Sequence, residues 1–487
     1  MKQPSLKKNY LYRVFYEILI LVTPFVTTPY ISRVLGADSI GIYSYTHSIV
    51  TYFMLFGALG TVGYGAREIA RTRDDKYLSS KLFWEIELMT IFTSGICLLV
   101  WIFVIIFSTK YRLYYIVLMP FIFSTMFDIS WYFTGLEKVR NIVIRNSLVR
   151  IVGIVLLFVF VKKKDDLILY CIINSTSALF GNLSMWLYLP KMLVRVDFKS
   201  LKFKHHFHET LIYFVPAIAT SIYTVLDKTL IGIITGSEFQ NGYYEQATKI
   251  IKIVKSFVFV AVNSVVGARI SYLFAEEKYN EIRRRISRSI DFIYLLAYGT
   301  MFGIVAVSST FVPVFYGKGY EPVITLLYVM VPLILIIGTS NCLGSQYYTP
   351  SGQRKRSAKV IVLGAVINLI LNILLIPKFQ AYGATIASVI AEITIAIIYI
   401  QMCEGYMTWQ QLWEFSWKRL IAGSIMCFTI IWMSKIIVVS DICLLIIQLI
   451  SGMAIYMFVL LVLKDSMLSD LIKMCAATVK KIIVHKK

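Results

Sequence analysis

Charged residues make up only 16% of this 487-residue chain, and its 27 acidic residues are outnumbered by 49 Lys and Arg. Soluble domains run at about 25% charged and roughly 45–50% apolar. Here 58% of residues are hydrophobic and the mean hydropathy is +0.72. No soluble core could bury that much apolar surface, so a two-domain soluble protein of this length is excluded. Catalytic motifs are missing as well: there is no H-E-x-x-H, P-loop, G-x-S-x-G or paired-carboxylate constellation, and no nucleotide site for an ATP-driven pump. Cys97, Cys171, Cys342, Cys403, Cys427, Cys443 and Cys475 stand apart, with no C-x-x-C and no metal spacing. They read as free thiols packed as small hydrophobes, and no metal or cofactor is expected. His205, His206 and His208 suit a solvated linker at a membrane surface rather than a metal site. The basic N-terminus is not followed by a small-residue cleavage site, so the first apolar segment reads as a retained helix.

What fills the chain is a series of apolar stretches of about 20 residues, the length that a bilayer core of about 30 Å demands of a helix. The expected fold is an all-α polytopic membrane protein of about fourteen transmembrane helices, near 11–34, 40–63, 83–108, 112–135, 141–161, 167–190, 209–235, 243–274, 287–311, 322–348, 358–377, 382–403, 418–437 and 441–463. Lys and Arg cluster in alternate connections, at 2–8, 67–81, 138–145, 191–204, 278–288, 354–359, 418–419 and 464–487. The intervening loops are short and carry little, Lys162-Lys163-Lys164 being the exception, partly offset by Asp165-Asp166. Both termini are therefore expected in the cytoplasm, and the net charge of +22 is an orientation signal, not a nucleic-acid site. The linker at 191–208 and the tail at 464–487 mix Lys with apolar residues, as amphipathic elements on anionic lipids do.

Two stretches repeat. Pro24 to the turn Gly36-x4-Gly41-Ile-Tyr43 is echoed by Pro216 to the turn Gly236-x5-Gly242-Tyr-Tyr244, and Tyr132-Phe-Thr-Gly135-Leu-Glu-Lys138 by Tyr348-Thr-Pro-Ser-Gly352-Gln-Arg354. Six helices separate the copies, an even offset that keeps both in the same orientation. Such parallel repeats usually hold a site between them. The expected organisation is an N-lobe at 1–190, the linker at 191–208, a C-lobe at 209–403, two further helices at 418–463 and the basic tail at 464–487.

The stretch TPFVTTPYISRVLGADSIGIYSYTHSIVTYFMLFGALGTVGYGAREIA, with YYTPSGQRK from Tyr347 and NLILNILLIPKFQAYGATIASVIAEI from Asn368, resembles the polysaccharide-transporter branch of the multidrug/oligosaccharidyl-lipid/polysaccharide superfamily, specifically Wzx-type flippases of O-antigen or capsule repeat units. The resemblance implies movement of an undecaprenyl-diphosphate-linked oligosaccharide from the inner to the outer leaflet of the cell membrane, by alternating access of two six-helix lobes. It also implies a polysaccharide polymerase and glycosyltransferases as functional partners. Alternatives are a flippase of lipid-linked peptidoglycan or teichoic precursors, a drug/cation antiporter of the same fold, and, in a different class, a membrane polysaccharide polymerase.

The intramembrane cations are the candidate diphosphate ligands: Arg33, Lys228, Lys249, Lys252 and Lys255 in outer helix halves. On a helical wheel Lys249, Lys252, Ser256 and Asn263 form one polar stripe on an otherwise apolar helix. A central cation facing lipid costs roughly 2.5–3.5 kcal/mol, a cost that a wet cavity removes. The competing reading has Arg33 and Lys249 snorkelling to the interface, Glu245 pairing Lys249 and Asp227 neutralising Lys228. Asp128 and Glu392 read either as proton or sodium sites, coupling transport to a gradient, or as buried paired carboxyls. Arg269 reads as a snorkelling or gating residue, and His47 as ordinary packing.

Overall fold

The structure, a computed structural model, describes the backbone of residues 6–484; side chains over much of 6–17, 212–224 and 259–269 and in the last turns lie outside the described set. The described residues are helical, with no strand among them, and ten stretches are long and apolar enough to cross a membrane. The all-α membrane class is borne out. The chain divides into two compact units, 1–242 and 243–487.

The first unit holds α1 (Leu6–Ala58), α2 (Thr61–Thr72), α3 (Lys76–Phe107), α4 (Arg112–Leu118), α5 (Pro120–Met126), α6 (Ser130–Gly135), α7 (Val139–Phe160), α8 (Leu167–Trp186) and α9 (Phe203–Thr235). The α1 stretch folds back at Gly36, where φ 80° and ψ 167° define a conformation that only a residue without Cβ takes easily. This is the turn expected between the first two spans. Pro120 has no N–H to donate, and the expected fourth span is broken into α4, α5 and α6. Broken backbone survives in a membrane only where neighbours satisfy it. Here Trp101 Nε1 donates to the carbonyl of Tyr115 (3.1 Å), Ser175 Oγ to Val117 (2.7 Å), Asn182 Nδ2 to Ser124 (2.6 Å) and Trp186 Nε1 to Phe127 (3.0 Å). Two apolar cores flank that break. One is built on Leu35, Val50, Trp101 and Ile122, the other on Tyr64, Phe83, Trp131 and Phe133. Helix α9, expected in the C-lobe, packs here against α1, α2 and α3.

The linker at 191–208 is short 3-10 turns and extended chain up to α9, and it departs from the solvated expectation at one residue. His206 is buried: its Nε2 is 2.8 Å from Glu85 Oε2, its Nδ1 2.6 Å from the Tyr64 hydroxyl, and Glu85 Oε1 accepts the Lys202 N–H at 2.7 Å. A carboxylate on α3 supplies the partner that lets an imidazole leave water. The Lys162-Lys163-Lys164 triplet is likewise tied down. Lys164 Nζ lies 2.6 Å from Asp38, and the backbone N–H groups of Lys162 and Lys163 hold the Asp166 carboxyl below the usual carboxylate range.

Next come α10 (Glu238–Ala275), α11 (Tyr279–Tyr316), α12 (Glu321–Met330), α13 (Pro332–Leu343), α14 (Arg354–Met402), α15 (Trp409–Ile436), α16 (Asp441–Val462) and α17 (Ser466–Val484). The second unit reuses both devices of the first. Helix α14 folds at Gln380 (φ 54°, ψ −128°), and Pro332 breaks the expected tenth span as Pro120 breaks the fourth, with a π-helical turn following at Gly344–Tyr348. A non-glycine at such dihedrals costs on the order of 1–3 kcal/mol and persists only when its surroundings enforce it. The tail begins as a helix, α17, with Met467 and Leu468 buried.

One cation counted as a loop charge is not one. Arg419 is 1% exposed: Nη2 is 2.6 Å from Asp291 Oδ1, Nη1 donates to the Asp291 carbonyl at 2.7 Å, and Nε reaches Asp465 Oδ2 at 3.2 Å. Its forked guanidinium thereby joins α11, α15 and the start of α17. Cys97, Cys171, Cys342, Cys403, Cys427 and Cys443 are free thiols, four of them buried and Cys443 exposed; Cys475 lies outside the described residues.

Candidate functional site

The expected diphosphate ligands fall in both units. In the first, Arg33 is exposed near the end of the first arm of α1, and Lys228 is half-buried on α9 beside buried Asp227. In the second, Lys249, Lys252 and Lys255 follow one another along α10. Lys252 projects as an exposed side chain, and Ser256 Oγ turns back to its carbonyl at 2.9 Å. Lys249 lies 3.7 Å from Glu245, the i,i+4 pairing that competes with a ligand role. The Asn263 and Arg269 side chains lie outside the described residues.

Lys255 is half-buried on α10, and Glu392 is 7% exposed on the second arm of α14. Asp128 sits in the break between α5 and α6, where it accepts the Ser130 N–H at 3.0 Å. His47 packs between Tyr43 and Phe121, at ring separations of 5.2 and 4.9 Å.

The sequence reading passed over Glu85 and Glu87, two carboxylates in the apolar run Leu82–Phe92 of α3. Their presence in a 32-residue apolar helix was itself the signal, since carboxylates inside a span are rare and functional by default. Arg145, counted as a loop cation, is half-buried and donates to Asn182 Oδ1 at 2.8 Å.

Comparison with known proteins places this geometry. A family model described as Polysaccharide biosynthesis protein matches residues 6–273. The chain belongs to that family. A second model, Lipid II flippase MurJ, matches residues 142–450. The chain is 22% identical over 399 residues to a protein of Escherichia coli (strain K12) named "Putative O-antigen transporter", covering 80% of this chain and 94% of that protein. A protein of the same name from Shigella dysenteriae is 23% identical over 407 residues, covering 81% and 99%. Among solved structures, "Lipid II flippase MurJ, inward closed conformation" superposes with a TM-score of 0.69 at 15% identity, over 94% of this chain and 99% of that one, a likeness of fold. The resemblance to Wzx-type flippases of the multidrug/oligosaccharidyl-lipid/polysaccharide superfamily is borne out.

Proposed function

We propose that this multi-pass protein of the cell membrane is a flippase that carries undecaprenyl-diphosphate-linked oligosaccharide repeat units from the cytoplasmic to the outer leaflet without changing them chemically. The observation that supports it best is the family match over residues 6–273, joined to O-antigen-transporter relatives that align over nearly their whole length. The precursor-flippase alternative, with a lipid-linked muropeptide as cargo, draws support from the MurJ match. A catalytic role has no motif behind it; glycosyltransferases act before this step and a polymerase after it.

Alternating access of lobes 1–190 and 209–403 moves a diphosphate diester with about two negative charges. With the interior negative, each charge gains about 2.3 kcal/mol per 100 mV. Lys252 is the centre of the diphosphate site, its flexible ammonium following the phosphates while the cavity changes shape, and Arg33 grips bidentately. Lys228, Lys249, Lys255 and Asn263 support it, and Arg269 gates.

Cells lacking the protein should accumulate the linked repeat unit in the inner leaflet while still making it. Arrival in the outer leaflet followed by failure to polymerise would favour the polymerase reading. Restoring Lys252→Gln at matched abundance should leave transport down roughly 10- to 100-fold, the loss of one charge-assisted contact of about 1.5–3 kcal/mol. Lys252→Arg should keep part of the activity. Transport by Lys252→Gln equal to the native protein would leave the cationic stripe without its centre.

Both termini and the 191–208 linker are cytoplasmic in this reading, on the alternation of Lys and Arg along the chain. A cysteine at Ser200 or appended after Lys487 should resist membrane-impermeant maleimide in intact cells and react after permeabilisation. Labelling from outside would invert the orientation.

A further inference from the structure

A groove opens on the first unit near the start of α3 and the end of α8, beside the 191–208 linker. It measures about 590 Å³ and is lined by Trp84 of α3, Trp186 of α8, and Pro190, Leu193, Arg195 and Phe198 of the chain that follows. Small-molecule sites typically span about 300–1,000 Å³. The fold fixes its walls. Trp84 packs against Phe198 and Trp186 at ring separations of 5.5 and 6.5 Å, and Trp186 Nε1 is anchored on the Phe127 carbonyl at 3.0 Å. The chain between α8 and α9 is tied to α3 twice, Ser80 Oγ accepting the Val194 N–H at 3.0 Å and Glu85 Oε1 the Lys202 N–H at 2.7 Å.

The chemistry of the groove is of two kinds. Its walls are aromatic and aliphatic, and large apolar side chains stand out beside them, Leu187 at 79% and Phe198 at 58% exposure. Facing water, such a patch would be a liability; where membrane spans end, lipid covers it, and tryptophan is enriched at that level. The other part is cationic. Arg195 is exposed at the groove, with Lys191 and Lys199 exposed four residues to either side, and none of the three forms an ion pair with a described residue. The neighbouring carboxylates are engaged: Asp197 Oδ1 accepts the Lys199 N–H at 3.0 Å, and Glu85 holds His206 as well as the Lys202 N–H. An unneutralised guanidinium beside a fixed apolar groove is complementary to a molecule with an anionic head and an aliphatic tail.

We propose that this groove binds an anionic phospholipid of the surrounding membrane, with Arg195 on the phosphate and an acyl chain along Trp84, Trp186 and Leu193. The guanidinium meets the phosphate oxygens bidentately, as basic pockets between membrane helices hold lipid head groups. A zwitterionic head group carries its own cation beside the phosphate, so a net-negative lipid gains more from Arg195. Occupancy ties the 192–198 stretch to the leaflet on that side. The site depends neither on the transported molecule nor on which way the chain is inserted.

The test uses the full-length protein reconstituted in phosphatidylcholine vesicles containing phosphatidylglycerol, with bromines on the acyl chains of one lipid or the other, and reads tryptophan fluorescence. Bromine quenches only the indoles it approaches. At equal mole fraction, brominated phosphatidylglycerol should quench more than brominated phosphatidylcholine. Trp84→Phe, which keeps a ring in the wall, should lose much of that excess. Arg195→Gln should raise the phosphatidylglycerol fraction needed for half of the excess about fivefold, the weight of one cation at a lipid surface, and Arg195→Lys should fall between. Arg354→Gln, which removes an exposed cation of the second unit, should leave the half-point unchanged. Equal quenching of the native protein by the two lipids overturns the choice of an anionic head group. An undiminished excess in Trp84→Phe places the lipid elsewhere and overturns the groove, and an unmoved half-point in Arg195→Gln overturns the phosphate contact. Arg195 is exposed, so its variants carry the test should Trp84→Phe fail to reconstitute.

Discussion

Arg419→Ala is expected to lower the thermal midpoint of the purified protein by on the order of 10 °C and to cut its abundance in the membrane. The side chain is 1% exposed and makes its contacts to two carboxylates and a carbonyl on other helices. Truncation leaves buried Asp465 and half-buried Asp291 without their counter-charge, and removing one partner of a buried ion pair costs about 3–5 kcal/mol. A domain of this size loses roughly 2–4 °C per kcal/mol. Asp465 Oδ1 also accepts the Leu468 N–H at 2.9 Å, so the first turn of α17 should loosen with it. Arg419→Lys keeps the charge but not the fork, and falls between the two. Arg419→Met combined with Asp291→Asn and Asp465→Asn should unfold later than Arg419→Ala, because the uncompensated charges go too. Nanoscale fluorimetry and membrane blots read the series. An Arg419→Ala midpoint within about 2 °C of native would mean that the two aspartates are solvated.

Helical class and the Gly36 turn were legible because each is written in local chemistry, whereas the fourth and tenth spans were expected unbroken. Gly36 marks a fold-back that a Cβ would resist, and Pro120 and Pro332 interrupt apolar stretches at corresponding places in the two halves. Partners were not legible. Lys418 and Arg419 look alike in a charge count, yet Lys418 reaches the Lys464 carbonyl at 2.9 Å from a half-buried position while its neighbour is fully enclosed. The 100° step between them along α15 sends one outward and one inward, and the inward direction is set by α11 and α17, far away in sequence. His206 disappears from the linker for the same reason, since the residue that makes its burial affordable is Glu85, 121 positions earlier.

The acidic residues show where periodicity runs out. Glu85 and Glu87 are two apart on one helix and face different neighbours, the first satisfied by His206 and the Lys202 N–H and the second unsatisfied. A hydrophobicity window over α3 averages both away. For the cations on α10 the wheel grouped Lys249 with Lys252, Ser256 and Asn263 on one face. What the wheel lacked was the identity of the opposing helix.

Enlarging Gly41 or Gly242 is expected to open the end of the first unit at which α1 turns back. Beyond its break, α1 crosses the first turn of α10 so closely that a Cβ on Gly41 would overlap the carbonyl of Glu238, and one on Gly242 the carbonyl of Ala37. Ala37 and Gly41 are four apart, the small-residue spacing that lets helix backbones touch in lipid. Around this crossing Lys110 Nζ lies 2.7 Å from Glu238, which holds the lysine above its usual range, and the Tyr111 hydroxyl donates to Glu238 at 3.0 Å. Overpacking costs about 1–3 kcal/mol, enough to move a closed–open equilibrium roughly 5- to 150-fold at 1.4 kcal/mol per factor of ten. In a background without native cysteines, Ser237→Cys should therefore react with impermeant maleimide at least about fivefold faster when Gly41→Leu or Gly242→Leu is added. Lys110→Ala removes only an exposed ion pair worth about 0–1 kcal/mol, and should change that rate less. Equal labelling in Gly242→Leu and its parent, with both proteins intact by gel filtration, would show that the polar lock rather than the glycine crossing keeps this end shut.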